Sequence, residues 1–119
     1  MTTREIADHL VALCRARKYR EAILELYAPD ATQSENGQSI SGGRDALVAA
    51  CKGWEESRIV HGTEILGVHV GPDSVVVEMR HDVTPHATKQ RNQWSEAAVY
   101  RVRDGKITDV RFYYKPAAA

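Results

Sequence analysis

Arg91-Asn-Gln-Trp-Ser-Glu-Ala-Ala-Val-Tyr-Arg-Val-Arg-Asp-Gly-Lys-Ile-Thr-Asp-Val-Arg-Phe-Tyr-Tyr114 decides the fold of this chain. Asp104-Gly105 is a hairpin-turn signal, and on either side of it apolar and polar residues alternate with the period of two that a β-strand requires. Two loop lengths are open, and they give opposite parities. A two-residue loop sets Glu96 opposite Tyr113. A three-residue loop, Arg103 to Gly105 with Gly105 left-handed in a bulge, sets Glu96 opposite Phe112. The longer loop gives the cleaner division. Trp94, Glu96, Ala98, Val110, Phe112 and Tyr114 then share one face, and Ser95, Arg101, Asp109 and Arg111 share the other.

Working towards the N-terminus, Ile59–Val70 and Ser74–Thr84 read as two more strands joined by Gly71-Pro72-Asp73, with Pro85–Gln90 a longer loop. Val75, Val77, Met79, His81 and Val83 fall on one face. A three-residue turn sets Thr63 opposite His81 and His61 diagonal to it, about 7–8 Å away. The following strand then brings Trp94 or Glu96 beside His81.

Ahead of these strands the period is 3.6. Thr2 and Glu5 have capping-box spacing, and Ile6, Leu10, Leu13 and Cys14 form a helical stripe. A second helix is expected from Tyr19 to Tyr27, with Ala22, Ile23, Leu26 and Tyr27 on one side and Pro29-Asp30 as its stop. Ala31–Glu35 reads as a short extended piece and Asn36–Gly42 as a polar loop. Ser41 is expected to cap a third helix to about Ser57, with a stripe of Ala46, Leu47, Ala50, Cys51 and Trp54. Long strands in a small domain twist and coil, and three amphipathic helices need an apolar surface. The predicted fold is α+β: a curved, cone-like, mostly antiparallel sheet with three helices packed over its concave face, enclosing a pocket. The 119 residues are read as one domain, 1–119, with Pro116–Ala119 as a frayed end.

Composition narrows the function classes. Hydrophobic residues make up 43% and charged ones 27%, a globular balance rather than a disordered one. Sixteen basic residues balance sixteen acidic ones, and no basic run suggests a nucleic-acid partner. The densest basic cluster, Arg15-Ala16-Arg17-Lys18, is expected to complement a helix C-terminus. No apolar run approaches the roughly 18 residues of a membrane span, and the start lacks the apolar core of a signal peptide. Cys14 and Cys51 sit on apolar helix faces and read as buried, inert thiols, which places the chain in the cytoplasm.

Leu26-Tyr-Ala-Pro-Asp-Ala-Thr32, Gly43-Arg-Asp-Ala-Leu47 and Val99-Tyr-Arg-Val-Arg-Asp-Gly-Lys-Ile107 resemble three landmarks of the SnoaL-like, nuclear transport factor 2-like superfamily. They are its helix-to-strand corner, the start of its third helix and its final hairpin, in order and at the right spacing. The resemblance covers nearly the whole chain and implies the fold, while the fold itself hosts many activities. It also implies a homodimer paired through the outer sheet face, which here includes Val76, Ala97, Val99 and Arg101. Set against ketosteroid isomerase, a member of that fold, Glu35 falls where the enzyme keeps its general base. That enzyme's two oxyanion donors fall on Val11 and Ala98, which have none to offer, so steroid isomerisation by the same route is disfavoured.

The expected concave face therefore collects Glu35, His61, His81 and Glu96 as candidate catalytic residues. Trp54, Trp94, Tyr114, Met79 and Phe112 are candidate ligand contacts around them. Carboxylates in an apolar cavity have raised pKa values, and imidazole titrates near neutrality, so both suit proton transfer. Each has a plainer reading: Glu35 as the start of a Glu-Asn-Gly turn, Glu96 as a buried partner of His81 or Tyr114, the histidines as core hydrogen-bonders, the tryptophans as walls. A metal site on His61, His81 and Glu96 lacks ligand spacing in the sequence, and no cofactor motif is present. Two functions follow. One is a cofactor-independent acid–base isomerase, lyase or hydrolase acting on a small, largely apolar molecule. The other is a non-catalytic ligand-binding or dimeric scaffold module.

Overall fold

The computed structural model describes residues 1–40 and 42–115. Along the chain they form α1 (Thr3–Arg15), α2 (Tyr19–Leu26), β1 (Tyr27–Glu35), β2 (Gln38–Ile40), α3 (Gly43–Glu56), β3 (Arg58–Val70), β4 (Ser74–Pro85), β5 (Asn92–Arg103) and β6 (Lys106–Tyr114). The strands make one curled, unclosed sheet in the order β2-β1-β6-β5-β4-β3. Every pairing is antiparallel except β1 with β6, which is parallel. This is the α+β cone predicted from the two periodicities.

The core lies between the helices and the inward sheet face. Ile6, Leu10, Val11 and Cys14 of α1 and Ala22, Ile23 and Leu26 of α2 pack on Val75, Val77, Met79, Ala98, Tyr100, Ile107 and Val110. The Thr2–Glu5 capping box forms, with both reciprocal hydrogen bonds made. Helix α3 is less central. Of its stripe only Leu47 is buried, while Ala46, Ala50, Cys51 and Trp54 are half-buried, because α3 packs chiefly on β1 and α2.

Several expectations need correction. The extended piece at 31–35 is longer: Tyr27, expected to end α2, is already extended (φ −90°, ψ 145°) and begins β1. The parallel partner β6 supplies the ladder that sequence periodicity does not show. Part of the expected loop is β2, closed on β1 by Asn36-Gly37 with φ of 48° and 86°, the geometry of a type I′ turn. The expected cap Ser41 lies outside the described residues. Gly42 holds the N-cap position of α3 with φ 108° and no side-chain cap. Gly43 follows at φ 74°, where a Cβ would stand 2.7 Å from the Pro29 carbonyl oxygen. Arg17 does more than complement a dipole, since its guanidinium donates to the Val60 carbonyl at 3.1 Å and ties the end of α1 to β3. Cys14 is buried and Cys51 half-buried, both free.

The strand registers differ from the expected ones in an instructive way. The last hairpin has the two-residue turn after all, Asp104 and Gly105 at φ 51° and 73°, with Arg103 paired to Lys106. An irregularity then inserts Thr108, between the Val102–Ile107 and Arg101–Asp109 pairs. The insertion restores the preferred parity, and Glu96 stands opposite Tyr114 rather than Phe112. In β3, Thr63 does stand opposite His81, but Leu66 and His61 are each inserted out of register.

Candidate functional site

The inward face of β4 puts His81 between Met79 and Val83, so its ring is buried among apolar neighbours. Pairing with β3 sets Thr63 on one side of it, and pairing with β5 sets Trp94 on the other, with Glu96 next along the same face. His81 Nε2 lies 2.6 Å from Glu96 Oε1, and the two side chains are only 7% and 9% exposed. An ionised carboxylate only accepts, so Nε2–H donates to it. Nδ1 lies 2.9 Å from the Thr63 hydroxyl, which is in turn hydrogen-bonded to the Tyr19 hydroxyl. The result is a chain of polar groups, Glu96–His81–Thr63–Tyr19, running through an apolar setting.

Aromatic rings enclose that chain. Trp54, from the last turn of α3, meets His81 at a centroid distance of 5.8 Å, Tyr19 at 5.8 Å and Trp94 at 6.4 Å, all edge-to-face. Trp94 lies 5.2 Å from His81. The Arg58 guanidinium stacks 4.6 Å over the Trp54 ring while its Nε donates to the Trp54 carbonyl at 2.9 Å. Trp54, Trp94 and Arg58 are half-buried, so they form the rim above the buried His81–Glu96 pair.

Glu35 closes β1 opposite Phe112 and joins the rim, as does Tyr114, opposite Glu96. Burial, and then the nearby Glu96, raise the Glu35 carboxyl above its ordinary range, with Arg58 opposing. Burial, then Glu35 and Glu96, likewise raise the Tyr114 phenol. Burial lowers the Arg58 guanidinium, and Glu35 and Tyr114 work the other way. The concave face thus gathers Glu35, His81, Glu96, Trp54, Trp94, Tyr114, Met79 and Phe112.

It does not gather His61. The insertion between the Val60–Val83 and Gly62–Asp82 pairs turns this side chain to the outer face, where Nε2 sits 2.7 Å from the Thr84 hydroxyl. Unbroken alternation had placed it inward. His61, His81 and Glu96 therefore form no common ligand set.

Sequence reading missed Tyr19, Thr63 and Arg58 as members of the site. Tyr19 was legible, since it stands at helical spacing with Ala22, Ile23 and Leu26. Thr63 was legible from its register opposite His81. Arg58 carries no pattern that marks it.

A SnoaL-like domain model matches residues 7–110. This chain belongs to the SnoaL-like family. Among solved structures, a Mesorhizobium loti protein provisionally described as a SnoaL-like polyketide cyclase is 33% identical, with a TM-score of 0.88 over 96% of this chain and 100% of that one. A nuclear transport factor 2-like protein of Burkholderia thailandensis is 20% identical, with a TM-score of 0.83 over 97% and 92%. A Bacillus subtilis protein provisionally described as an isomerase is 21% identical, with a TM-score of 0.80 over 98% and 91%. The last two likenesses show the fold alone. Among curated proteins, no sequence matches the chain. The SnoaL-like family is one of small-molecule-binding domains.

Tyr19, Trp54 and Trp94 pack directly around His81 on the concave side. Two shallow, open hollows, of about 360 and 250 Å³, lie instead on the outer face, the larger against Leu66, Ala97 and Tyr113. Burial pushes the Cys14 and Cys51 thiols up to about 12, aided by Glu96 and Glu55 respectively, so neither is a ready nucleophile. Among the described residues no helix is long and apolar enough to cross a membrane.

Proposed function

We propose that this SnoaL-like domain transfers protons on a small, largely apolar molecule admitted to its concave face, without a cofactor. The observation that carries this is Glu96. Its Oε1 is engaged by His81, while Oε2 has no hydrogen-bond partner among the described residues, and the side chain is 9% exposed. A carboxylate oxygen left free in an apolar setting is the atom a general base needs. His81 holds Glu96 in place, and through Thr63 and Tyr19 it can take up or return a proton. Glu35, with its raised carboxyl, is a second proton acceptor at the rim. Trp54, Trp94, Met79, Phe112 and Tyr114 form the ligand's walls, with the two indoles parting to admit it. Polyketide cyclisation and isomerisation, the activities provisionally ascribed to relatives of this chain, can both begin by removing a proton beside a carbonyl group.

The same proposal has the chain act as one domain and as a homodimer, in the cytoplasm. Leu66 and Tyr113, large and exposed on the outer face beside Ala97, support the pairing. A second reading, a non-catalytic binding module, is favoured by the engagement of both His81 nitrogens and by the packing of Tyr19, Trp54 and Trp94 against its ring.

Deuterium exchange separates the two readings. Small aryl ketones are incubated with the protein in D2O, and the signals of the hydrogens beside the carbonyl are followed by NMR. Catalysis predicts exchange that Glu96→Gln slows about 10²- to 10⁴-fold, with ketone affinity retained. Ketones that bind both proteins and exchange with neither refute catalysis and leave the binding module.

A further inference from the structure

We infer that the Arg58 guanidinium is an acid-binding subsite at the mouth of the concave face, which takes the carboxylate of a small, otherwise apolar ligand whose body lies against Trp54 and Trp94. The inference deepens the ligand site proposed above and rests on it.

Strand register puts Arg58 at that mouth. It stands opposite Pro85, with Ile59 opposite Thr84 and Val60 opposite Val83. Val83 is buried in the inward row of His81, so Arg58 and Val60 face inward, half-buried, while the exposed Ile59 faces out. The pairings carry this end of the sheet across to Trp94, opposite His81, to Tyr114, opposite Glu96, and to Glu35, opposite Phe112. Arg58, Trp94, Tyr114 and Glu35 thus lie towards one end of the sheet, on one face.

The guanidinium is held there in a set orientation. Its Cζ stacks 4.6 Å over the Trp54 ring, and that ring lies 5.8 Å from His81, so Cζ stands at most about 10 Å from the His81 ring centre. Nε donates to the Trp54 carbonyl at 2.9 Å and to the Ser57 hydroxyl at 3.1 Å, and Nη2 donates to the same hydroxyl at 3.0 Å. All three bonds use the side edge of the guanidinium, formed by Nε and Nη2. The other edge, formed by Nη1 and the second Nη2 hydrogen, is a fork that grips a carboxylate through two parallel bonds. Arg20, Arg80, Arg91 and Arg111 each stand against a carboxylate of this chain. Arg58, although half-buried, has none within salt-bridge reach among the described residues. A ligand carboxylate would offset the cost of keeping that cation half out of water. A monoanion suits the mouth better than a phosphate dianion, because Glu35 and Glu96 lie on the same face. Burial raises the Glu35 carboxyl, which eases the approach of a second acid. The competing occupant is Glu35 itself, swung across to close the fork.

The test uses 2-naphthoate and 2-acetonaphthone, a near-isosteric pair in which a carboxylate oxygen replaces the methyl group of the ketone. Affinities are measured at pH 7 by isothermal titration calorimetry for wild type, Arg58→Gln and Arg58→Lys. The expected result is that Arg58→Gln lowers the naphthoate-to-ketone affinity ratio about ten- to hundredfold, with ketone affinity unchanged. Arg58→Lys keeps the charge without the fork and lowers the ratio by less. Added salt lowers the ratio for wild type and not for Arg58→Gln. A ratio that survives Arg58→Gln overturns the subsite. So does an equal fall in both affinities, which would show that Arg58 only braces Trp54. Ketone binding without naphthoate binding in wild type also overturns it, as expected if Glu35 closes the fork, and the ligand site then stands. If neither naphthalene binds at millimolar concentration, the ligand site falls, and this inference with it.

Discussion

Replacing Glu96 with alanine leaves the His81 ring in an apolar enclosure with Nε2 unpartnered. In the structure the two groups meet at 2.6 Å, with side chains only 9% and 7% exposed. A hydrogen bond to a charged group contributes about 1.5–3 kcal/mol, and stranding one member of a buried pair costs about 3–5 kcal/mol. His81 keeps its bond to Thr63, which limits the damage, so the expected loss is about 3 kcal/mol. For a chain of this size that lowers the melting temperature by roughly 9–15 °C. Glu96→Gln keeps the shape and an oxygen that still accepts from Nε2–H, so its expected cost is only about 1 kcal/mol. Urea unfolding of the three proteins at pH 7, analysed at constant slope, reads both numbers. Stabilities of the alanine and glutamine variants that agree within error, or an alanine variant within about 1 kcal/mol of wild type, would refute the buried pair.

Three further outcomes follow from named geometry. His61→Gln leaves ligand affinity and any proton exchange unchanged, because this side chain bonds Thr84 on the outer face; a loss of either, measured with the naphthyl ketone, would place it inward again. Glu35 has a folded-state pKa above its unfolded one, so the folded protein binds more protons there. Its contribution is fully present below the ordinary carboxylate range and is lost as pH rises through the raised value. Urea midpoints of Glu35→Gln should therefore gain on wild type as pH rises from about 4 towards neutrality, and an opposite trend contradicts the burial of this carboxyl. Gly43→Ala forces a Cβ to within 2.7 Å of the Pro29 carbonyl at φ 74° and is expected to cost about 2–3 kcal/mol, read as a lowered urea midpoint.

Much of the architecture was legible because it depends on local periodicity. The stripes of α1 and α2, the four long strands and the Thr2–Glu5 cap are properties of neighbouring residues, and each appears in the structure. The inward set Trp94, Glu96, Val110, Phe112 and Tyr114 was legible too, although through a two-residue turn and an insertion at Thr108 rather than a three-residue loop. His61 shows where such reading stops. One inserted residue reverses every later assignment in a strand, and nothing in Ile59–Val70 marks where the insertion falls.

The sequence by itself determined the fold class, because two hydrophobic periods in that order admit few ways to bury their apolar faces, and its three landmark motifs carried the resemblance to the SnoaL-like family that the domain match shows. It also nominated His81 and Glu96, the rare polar residues in apolar rows. Only the tertiary structure decided which nominees meet. The Glu96–His81–Thr63–Tyr19 chain joins residues from three strands and a helix, and the Arg58–Trp54–Glu35 rim joins a strand, a helix and the distant end of β1. Those contacts depend on strand register and on where α3 docks, and both are set by packing across the whole molecule rather than by spacing along the chain.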